Sequence, residues 1–566
     1  MKPSKNRVIL GINAYSHDAG VALVVDGALV FAAEEERYDR LKHSHAFPAG
    51  ALRAALAYAG LAPGDVDRVA FCWRKDMARR QKALYVLRHL PRSLAFLRER
   101  PERLPPRMRY LRSVAHLERD LRASGVEAPV TYVEHHFAHA IQAHRFGPVD
   151  EAALLTADGM GEWTAAAAWH VEHRGGLPRL LAAQDYPHSL GKVYAAVTQH
   201  LGFRPDADEG KTMGLASYGR PALKDAFRTL VRPHESRLYE VDLTAFAYRW
   251  GHTRMGGAPF AARFGPPRAP EGPIEARDED LAHAAQAVLE DTVLGMARRL
   301  REQTGASHLG LAGGLFLNCV LNGRLAREAG FDSLFVFPAA GDAGAAAGAA
   351  AWVAGSDRRS LRHAYLGDPC EEAAVARALA DRPHRVAADP AAAAAEALDA
   401  GRIVGWFNGR MEFGPRALGA RSILADPRGK GIKDRLNAEV KFREAFRPFA
   451  PAVLEEAAGE WFADARPSPF MLLAFTARDR ARERIPGVVH VDGTARVQTV
   501  GRDDGQPAFR RLLEAFQART GVPVVLNTSF NIRGEPIVRT PEEALTCFDR
   551  TGMDLLVLGD RVVEKA

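Results

Sequence analysis

Cysteine is scarce in this chain. Four occur in 566 residues, at Cys72, Cys319, Cys370 and Cys547, far apart and without a C-x-x-C pair. That distribution excludes a disulfide framework and a thiolate zinc ribbon, and it fits a reducing compartment. Long apolar runs are also missing. The longest, AAGDAGAAAGAAAWVAG, is built of alanine and glycine and broken by Asp342, so no membrane span is expected. The opening MKPSKNRVILGIN enters a strand directly, which predicts no signal peptide and a cytoplasmic protein. There is no long basic face interleaved with stacking aromatics, and the net charge of +7 is small for the length. This speaks against a nucleic-acid partner but permits anionic small molecules such as nucleotides. With 47% hydrophobic and 26% charged residues, the composition is that of a globular protein too long for one core.

The densest chemistry lies between Val133 and Glu162. His135 and His139 stand four residues apart, which on a helix places them on one face with Cβ atoms roughly 6 Å apart. His136 is rotated about 100° away, so His135 is the better partner for His139. The apolar run AALLTAD ends at Asp158, followed by Gly159 and Gly161, and a second aspartate, Asp342, sits at a strand-to-helix junction. Two histidines and two carboxylates would make a mixed nitrogen and oxygen site suited to iron, manganese or zinc. The bland alternative is a capping histidine with surface neighbours.

The strand–turn–strand plan occurs twice. VILGINAYSHDAG–VALVVDG–ALVFAAEEE is matched by AALLTADGMGE–TAAAAWHV–RLLAAQDY, each with a polar turn at the head of a hairpin. Two similar lobes with paired turns are the plan of the actin-like and sugar-kinase-like ATPases. Lys211, Gly214 and Gly219 in DEGKTMGLASYGRPAL suit close approach of a ligand. The strand Leu309 to Ala312 ends at Gly313-Gly314, where a nucleotide could lie against backbone and a helix start, with Asn318 just beyond. Two stretches read as insertions. Arg74 to Arg122, rich in Arg and Leu, is a solvated basic face, a lid or a dimer surface. Val231 to Asp280, with Trp250, His252 and Arg254, is an acceptor-binding excursion or a variable loop.

GSDRRSLRHAYLGDPCEE is polar and reads as a linker, after which a fresh α/β domain begins near Glu371. The expected division is residues 1–355, a linker over 356–370, and residues 371–566. The second domain carries Arg410, Arg416 and Arg421 among glycines, then Lys441, Arg443 and Arg447, then Arg496 and Gln498, then Asn527, Ser529 and Asn531. Guanidinium forks and an ammonium in a glycine-lined cleft suit a di- or triphosphate or carbamoyl phosphate.

Taken together, NAYSHDAGVALV, EHHFAHA, LLTADGMGE, GKTMGLASYG, GGLFLNCVLNGRL, FPAAGDAGAA, FNGRMEFGPRALGARSILADPR, FREAFRPFAP, DGTARVQTV and NTSFNIRGEPIV resemble the NodU/CmcH carbamoyltransferase family in order along the chain. The resemblance implies an α/β protein with an N-terminal two-lobed actin-like ATPase (ASKHA) fold and a C-terminal YrdC-like domain. It implies an ATP-dependent O-carbamoyltransferase: carbamoyl phosphate and ATP, with Mg²⁺, give carbamoyl-adenylate in the second domain at Arg416, Lys441, Arg447, Arg496, Asn527 and Ser529. The first domain would then pass the carbamoyl group to a hydroxyl of a small natural product or sugar-like acceptor. The family's iron ligands map onto His135, His139, Asp158 and Asp342, with another divalent metal as the alternative. His17, on the first hairpin turn, is the candidate general base. The resemblance also suggests a homodimer. The competing reading is a tRNA threonylcarbamoyl-modification enzyme, which shares both folds but needs a tRNA-binding surface.

Overall fold

The computed structural model describes residues 7–74, 78–94, 116–173, 175–234, 236–251, 253–356 and 359–565. Residues 75–77 and 95–115 of the Arg74 to Arg122 insertion, and His252, lie outside them. The chain forms two compact units: residues 1–30 with 43–360, and residues 31–42 with 361–566. Both are mixed α/β.

The first unit contains two five-stranded sheets. In one, the central strand Val8–Asn13 runs antiparallel to Gly20–Val25 and parallel to Arg68–Phe71, which is parallel to Val130–Tyr132. In the other, the central strand Ala152–Ala157 runs antiparallel to Thr164–Val171, which is antiparallel to Arg179–Asp185. On its other side it is parallel to His308–Ala312, which is parallel to Ser333–Val336. Each sheet therefore has its first strand in the middle, a hairpin meander on one side and two parallel crossover strands on the other. This is the duplication expected from the sequence. In each copy the fifth strand feeds a helix: His135–Arg145 after the first sheet, Asp342–Ala354 after the second.

These two helices pack with almost no side chain between them. A Cβ built on Gly348 would lie 2.0 Å from the Ala138 carbonyl oxygen, and one on Gly344 would lie 2.2 Å from Gln142 Nε2. A Cβ on Gly11, in the central strand of the first sheet, would meet the Ala346 carbonyl oxygen at 2.1 Å. The alanine and glycine run that is too weak for a membrane span is thus a small-residue face on which helix and strand backbones meet. Its helix is buried from Asp342 to Ala351. Among the described residues, no helix is long and apolar enough to cross a membrane.

The second unit is organised on a nine-stranded mixed sheet. Its middle strands are Val404–Phe407, Arg421–Ala425, Val524–Ser529 and Ala450–Leu454, and the helices Pro390–Asp399 and Pro507–Thr520 pack together. Residues 361–370 belong to this unit rather than to a linker. Ala364, Tyr365 and Leu366 are buried, Phe413 donates its N–H to the Ala364 carbonyl at 2.7 Å, and the Tyr365 hydroxyl donates to the Leu418 carbonyl at 2.7 Å. The polar composition of the stretch hid three residues that join the core.

Two glycines test this packing in opposite directions. Gly348→Ala forces the two helices apart and should cost about 1–3 kcal/mol, the range for overpacking a filled core. Gly295, in the long helix Ala276–Thr304, has open space where a Cβ would stand, so Gly295→Ala should raise stability by about 0.5–1 kcal/mol. Chemical denaturation of the two variants measures both.

Candidate functional site

The helix His135–Arg145 begins where Glu134 accepts the N–H groups of His136 and Phe137, so both His135 and His139 leave its first turns. Asp158 follows the central strand of the second sheet, and Asp342 opens the glycine and alanine helix. The structure brings these four side chains together, all buried, with one ligating atom from each lying within 4.8 Å of the others. His135 Nε2 is 3.4 Å from Asp158 Oδ2 and 3.5 Å from Asp342 Oδ1, and His139 Nε2 is 3.4 Å from Asp158 Oδ2.

The tautomers decide what the site can hold. His135 Nδ1 faces the Cys72 carbonyl at 3.3 Å, and a carbonyl only accepts, so Nδ1 carries the hydrogen. The Gln142 amide nitrogen must donate to the Ala339 carbonyl at 2.8 Å. That turns Gln142 Oε1 toward His139 Nδ1, also at 2.8 Å, which again makes Nδ1 the donor. Both Nε2 lone pairs therefore point inward, 3.2 Å apart, beside Asp158 and the buried Asp342 Oδ1, which has no hydrogen-bond partner. Two lone pairs and two carboxylates so close repel unless a proton or a cation lies among them. The donor set and its outer hydrogen bonds fit a divalent metal such as iron, manganese or zinc. With protons rather than a cation among them, His135 and His139 donate from Nε2 to Asp158 and, against the opposing effect of burial, hold it well below the carboxylate range. Burial likewise opposes the charged form of His135, and Asp342 with the Asp158 hydrogen bond outweighs it and raises that imidazole.

His136 takes no part. Its Nε2 donates to the Thr164 carbonyl at 2.9 Å, its Nδ1 meets the Thr156 hydroxyl at 3.0 Å, and burial with the neighbouring His135 and His139 pushes it down to about 3, so it stays neutral. Trp73 stacks on His135 with ring centroids 3.9 Å apart, and its Nε1 donates to Asn13 at 2.9 Å.

The first hairpin turn meets the same cluster. Ser16 Oγ is 3.3 Å and His17 Nε2 is 3.8 Å from Asp342 Oδ2. Tyr15 and Asp18, on either side of them, adopt left-handed φ values of 68° and 56°. Such backbone is held only where neighbours over-determine it. Here Tyr15 donates its hydroxyl to Asp120, the Asn13 amide donates to the carbonyls of His17 and Asp18, and Asp18 bridges His17 Nδ1 and His43 Nδ1 at 2.8 Å each.

The presumed nucleotide residues divide. Gly313, at φ 104°, presses on the Ala157 carbonyl, and a Cβ on Gly314 would lie 3.0 Å from Asp158 Oδ1, so this pair lies against the cluster of histidines and aspartates. Asn318 caps the helix Cys319–Glu328 and exchanges hydrogen bonds with Gln286. Lys211 and Gly214 lie within the helix Glu209–Leu215, with Lys211 paired to Asp208 at 3.3 Å. Gly219 is small to let the chain approach the Glu279 carbonyl, not a ligand.

In the second unit, Lys441 ends a single π turn, Asn437–Lys441, and is buried. Its ammonium donates to the Ser529 carbonyl and, at 2.9 and 3.0 Å, to the side-chain and main-chain oxygens of Asn531. Burial, with Arg443 and Arg447 close by, holds Lys441 well below its ordinary value. Burial, Arg447 and Arg496 push Arg443 down to about 9. Alternation along strands puts Arg496 with Gln498, and Asn527 with Ser529, on common faces. Asn527 donates to Gln498 at 3.0 Å and to the Ala417 carbonyl at 3.2 Å, which ties in the loop carrying Arg416. Arg410 and Arg421 do not join this cluster. Arg421 is fully buried, stacks on Phe407 at 3.7 Å and donates to the carbonyls of Asn408, Gly409, Ala420 and Asp368. Arg410 donates to those of Leu366 and Gly367. Both brace backbone, a use that sequence alone does not distinguish from ligand binding.

The residues 8–351 match the family model described as carbamoyltransferase N-terminus, and 395–565 match carbamoyltransferase C-terminus. The chain belongs to the carbamoyltransferase family and is a transferase of that kind. It is 39% identical to the Synechocystis sp. protein sll1178 over 98% of this chain and 96% of that one. It is 37% identical to nodulation protein NolNO of Sinorhizobium fredii over 98% and 80%. It is also 37% identical to the 3'-hydroxymethylcephem-O-carbamoyltransferase of Amycolatopsis lactamdurans over 49% and 52%. Among solved structures, HypF of T. kodakarensis aligns over 62% of this chain and 48% of that one with 14% identity and a TM-score of 0.32. A ROK family glucokinase from Streptomyces griseus aligns over 61% and 98% with 15% identity and a TM-score of 0.26.

Sequence reasoning missed Gln142, although its place three residues after His139 on one helix face was the available signal. Gln142→Leu keeps every first ligand but frees His139 Nδ1. It should weaken binding of Fe(II) or Zn²⁺ by about 10- to 100-fold in a competitive chelator titration.

Proposed function

We propose that this enzyme is an ATP-dependent O-carbamoyltransferase whose second unit, YrdC-like, activates the carbamoyl group and whose first unit, actin-like, transfers it to a hydroxyl. The observation that carries the activation step is the clustering of Lys441, Arg443, Arg447 and Arg496. Like charges gathered in a half-buried site repel one another, and a polyphosphate relieves that repulsion.

In this reading carbamoyl phosphate, ATP and one water give carbamoyl-adenylate, pyrophosphate and inorganic phosphate, which balances the atoms. Arg416, Arg447 and Arg496 hold phosphate oxygens, and Lys441, fixed by Ser529 and Asn531, meets charge as it develops on the leaving groups. Asn527 keeps the Arg416 loop in place. The acceptor hydroxyl then attacks the carbamoyl carbon, AMP leaves, and His17 takes the hydroxyl proton, with Asp18 orienting its ring. A divalent cation held by His135, His139, Asp158 and Asp342 would supply Lewis-acid polarisation of the carbonyl or phosphate oxygen.

Half-buried aromatics border the turn that carries Asp158. Trp163, on that turn, lies 5.6 Å from Tyr85, which lies 6.3 Å from Trp250, itself stacked by Arg249 at 4.8 Å. Tyr85 comes from the described part of the first insertion and Trp250 from the second. Ring faces bordering the Asp158 turn suit an acceptor with an apolar ring face, as a sugar-like or polycyclic molecule has.

Three measurements test this. The purified chain with ATP, Mg²⁺ and carbamoyl phosphate should release pyrophosphate only when carbamoyl phosphate is present. ADP instead would end the scheme, and tight tRNA binding with a steep salt dependence would favour the tRNA-modifying alternative. Lys441→Ala should cut that release by at least about 10²-fold, while His139→Ala leaves it intact and stops transfer. With an acceptor in hand, Trp250→Ala should raise the acceptor KM by about tenfold while leaving pyrophosphate release unchanged.

A further inference from the structure

Residues 31–42 fall inside the span of the N-terminal family model, yet they fold with residues 361–566. Phe31, Ala32, Ala33, Glu34, Glu35 and Arg37 are all buried there, and Arg37 is 0% exposed. Glu34 accepts the Gly414 N–H at 2.8 Å through Oε1, and Arg37 Nη2 donates to the Gly414 carbonyl at 2.8 Å. One peptide group on each side of Gly414 is thus gripped by a side chain from the distant segment. Gly414 sits at φ 118°, a conformation that side chains resist, two residues before Arg416. The far side of the same loop is held by Asn527, Gln498 and Tyr365 on the carbonyls of Ala417 and Leu418. Its base is held by Glu412, whose Oε1 accepts from Leu418, Ala420 and Arg421. Arg416 is the residue presented between these anchors.

The same segment reaches a second loop. Arg40 donates to the carbonyls of Ile537 and Pro536 at 2.8 and 2.9 Å and pairs with Glu543 at 3.3 Å. That loop runs back to Asn531, whose amide donates to the Glu535 carbonyl at 2.7 Å and whose oxygens hold Lys441. Arg539 stacks on Tyr38 at 4.8 Å.

We infer that Glu34, Arg37 and Arg40 are positioning residues of the phosphate site on the second unit, setting the loops that present Arg416 and fix Lys441. Through Glu34, Arg37 and Arg40 the segment bonds loop backbone. It acts by holding Gly414 and Pro536–Ile537 in register, and residues 361–566 without it would carry the cations but not their geometry. The inference rests on the phosphate reading of Arg416 and Lys441 given above.

The test is calorimetric titration of the full-length chain with inorganic pyrophosphate. It is run on wild type, Glu34→Ala, Glu34→Gln and Arg40→Ala, with circular dichroism and metal affinity measured on each. Glu34→Ala and Arg40→Ala should weaken pyrophosphate by about tenfold or more, since displacements of order 1 Å in a charged site cost that much. Metal affinity should stay at the wild-type level. Glu34→Gln should stay within about threefold of wild type, because the amide oxygen still accepts the Gly414 N–H. Wild-type affinity in both Glu34→Ala and Arg40→Ala overturns the inference. So does a Glu34→Gln as weak as Glu34→Ala, and so does loss of metal affinity in step with pyrophosphate, which marks general unfolding. If Glu34→Ala does not fold, the half-buried Arg40→Ala decides alone. A wild type that binds no pyrophosphate overturns the phosphate reading and this inference with it, whereas wild-type binding with unaffected variants overturns only the inference.

Discussion

Everything at the first site hangs on two backbones that touch. Gly348 and Gly344 let the helix that begins at Asp342 lie directly on the helix that carries His135 and His139, with Gly11 admitting it to the sheet beneath. At that distance Asp342 reaches the imidazoles, and Gln142, wedged against Gly344, can bond His139 on one side and the Ala339 carbonyl on the other. Close-packed interiors transmit strain, so displacement of these helices is passed straight to the ligands.

The duplication explains why these elements converge. In both copies the first strand is central, its hairpin turn opens at one end, and the fifth strand leads into a helix. His135 and His139 come from the helix of the first copy and Asp342 from the helix of the second. Asp158 comes from the hairpin turn of the second copy, and Ser16 and His17 from that of the first. The site therefore draws on repeat-related elements, and its asymmetry of side chains on a symmetric scaffold separates nitrogen donors from carboxylates. The strained backbone at Tyr15 and Asp18 flanks His17, whose Nε2 lies 3.8 Å from Asp342 Oδ2.

The second unit meets the opposite problem, that of keeping several cations together. It spends two arginines, Arg410 and Arg421, on carbonyls, leaves Lys441 in a cage of oxygen acceptors, and brings Arg447 and Arg496 close enough to hold Arg443 below its ordinary value. Its loops are secured from several directions, including by a segment more than 300 residues away in sequence.

Local chemistry was enough to read His135 and His139 as one face, because helical spacing is a property of neighbours along the chain. The repeated strand–turn–strand plan, the membership of two α/β units and the cation-rich motifs were legible for the same reason. Other features depended on distance in sequence. Nothing local says that Asp342 meets Asp158, that Arg421 is a brace for carbonyls, or that His136 is retired by Thr156 and Thr164. The linker reading failed because three buried residues, Ala364 to Leu366, are hidden in a polar stretch. The placement of residues 31–42 in the second unit was likewise invisible, since a strand reads alike whichever core receives its end. Sequence by itself determined the periodicities, the donor types and the family. Tertiary structure alone decided which donors face one another and which charges are consumed in holding the backbone, because burial and partner choice are set by contacts between residues the chain keeps far apart.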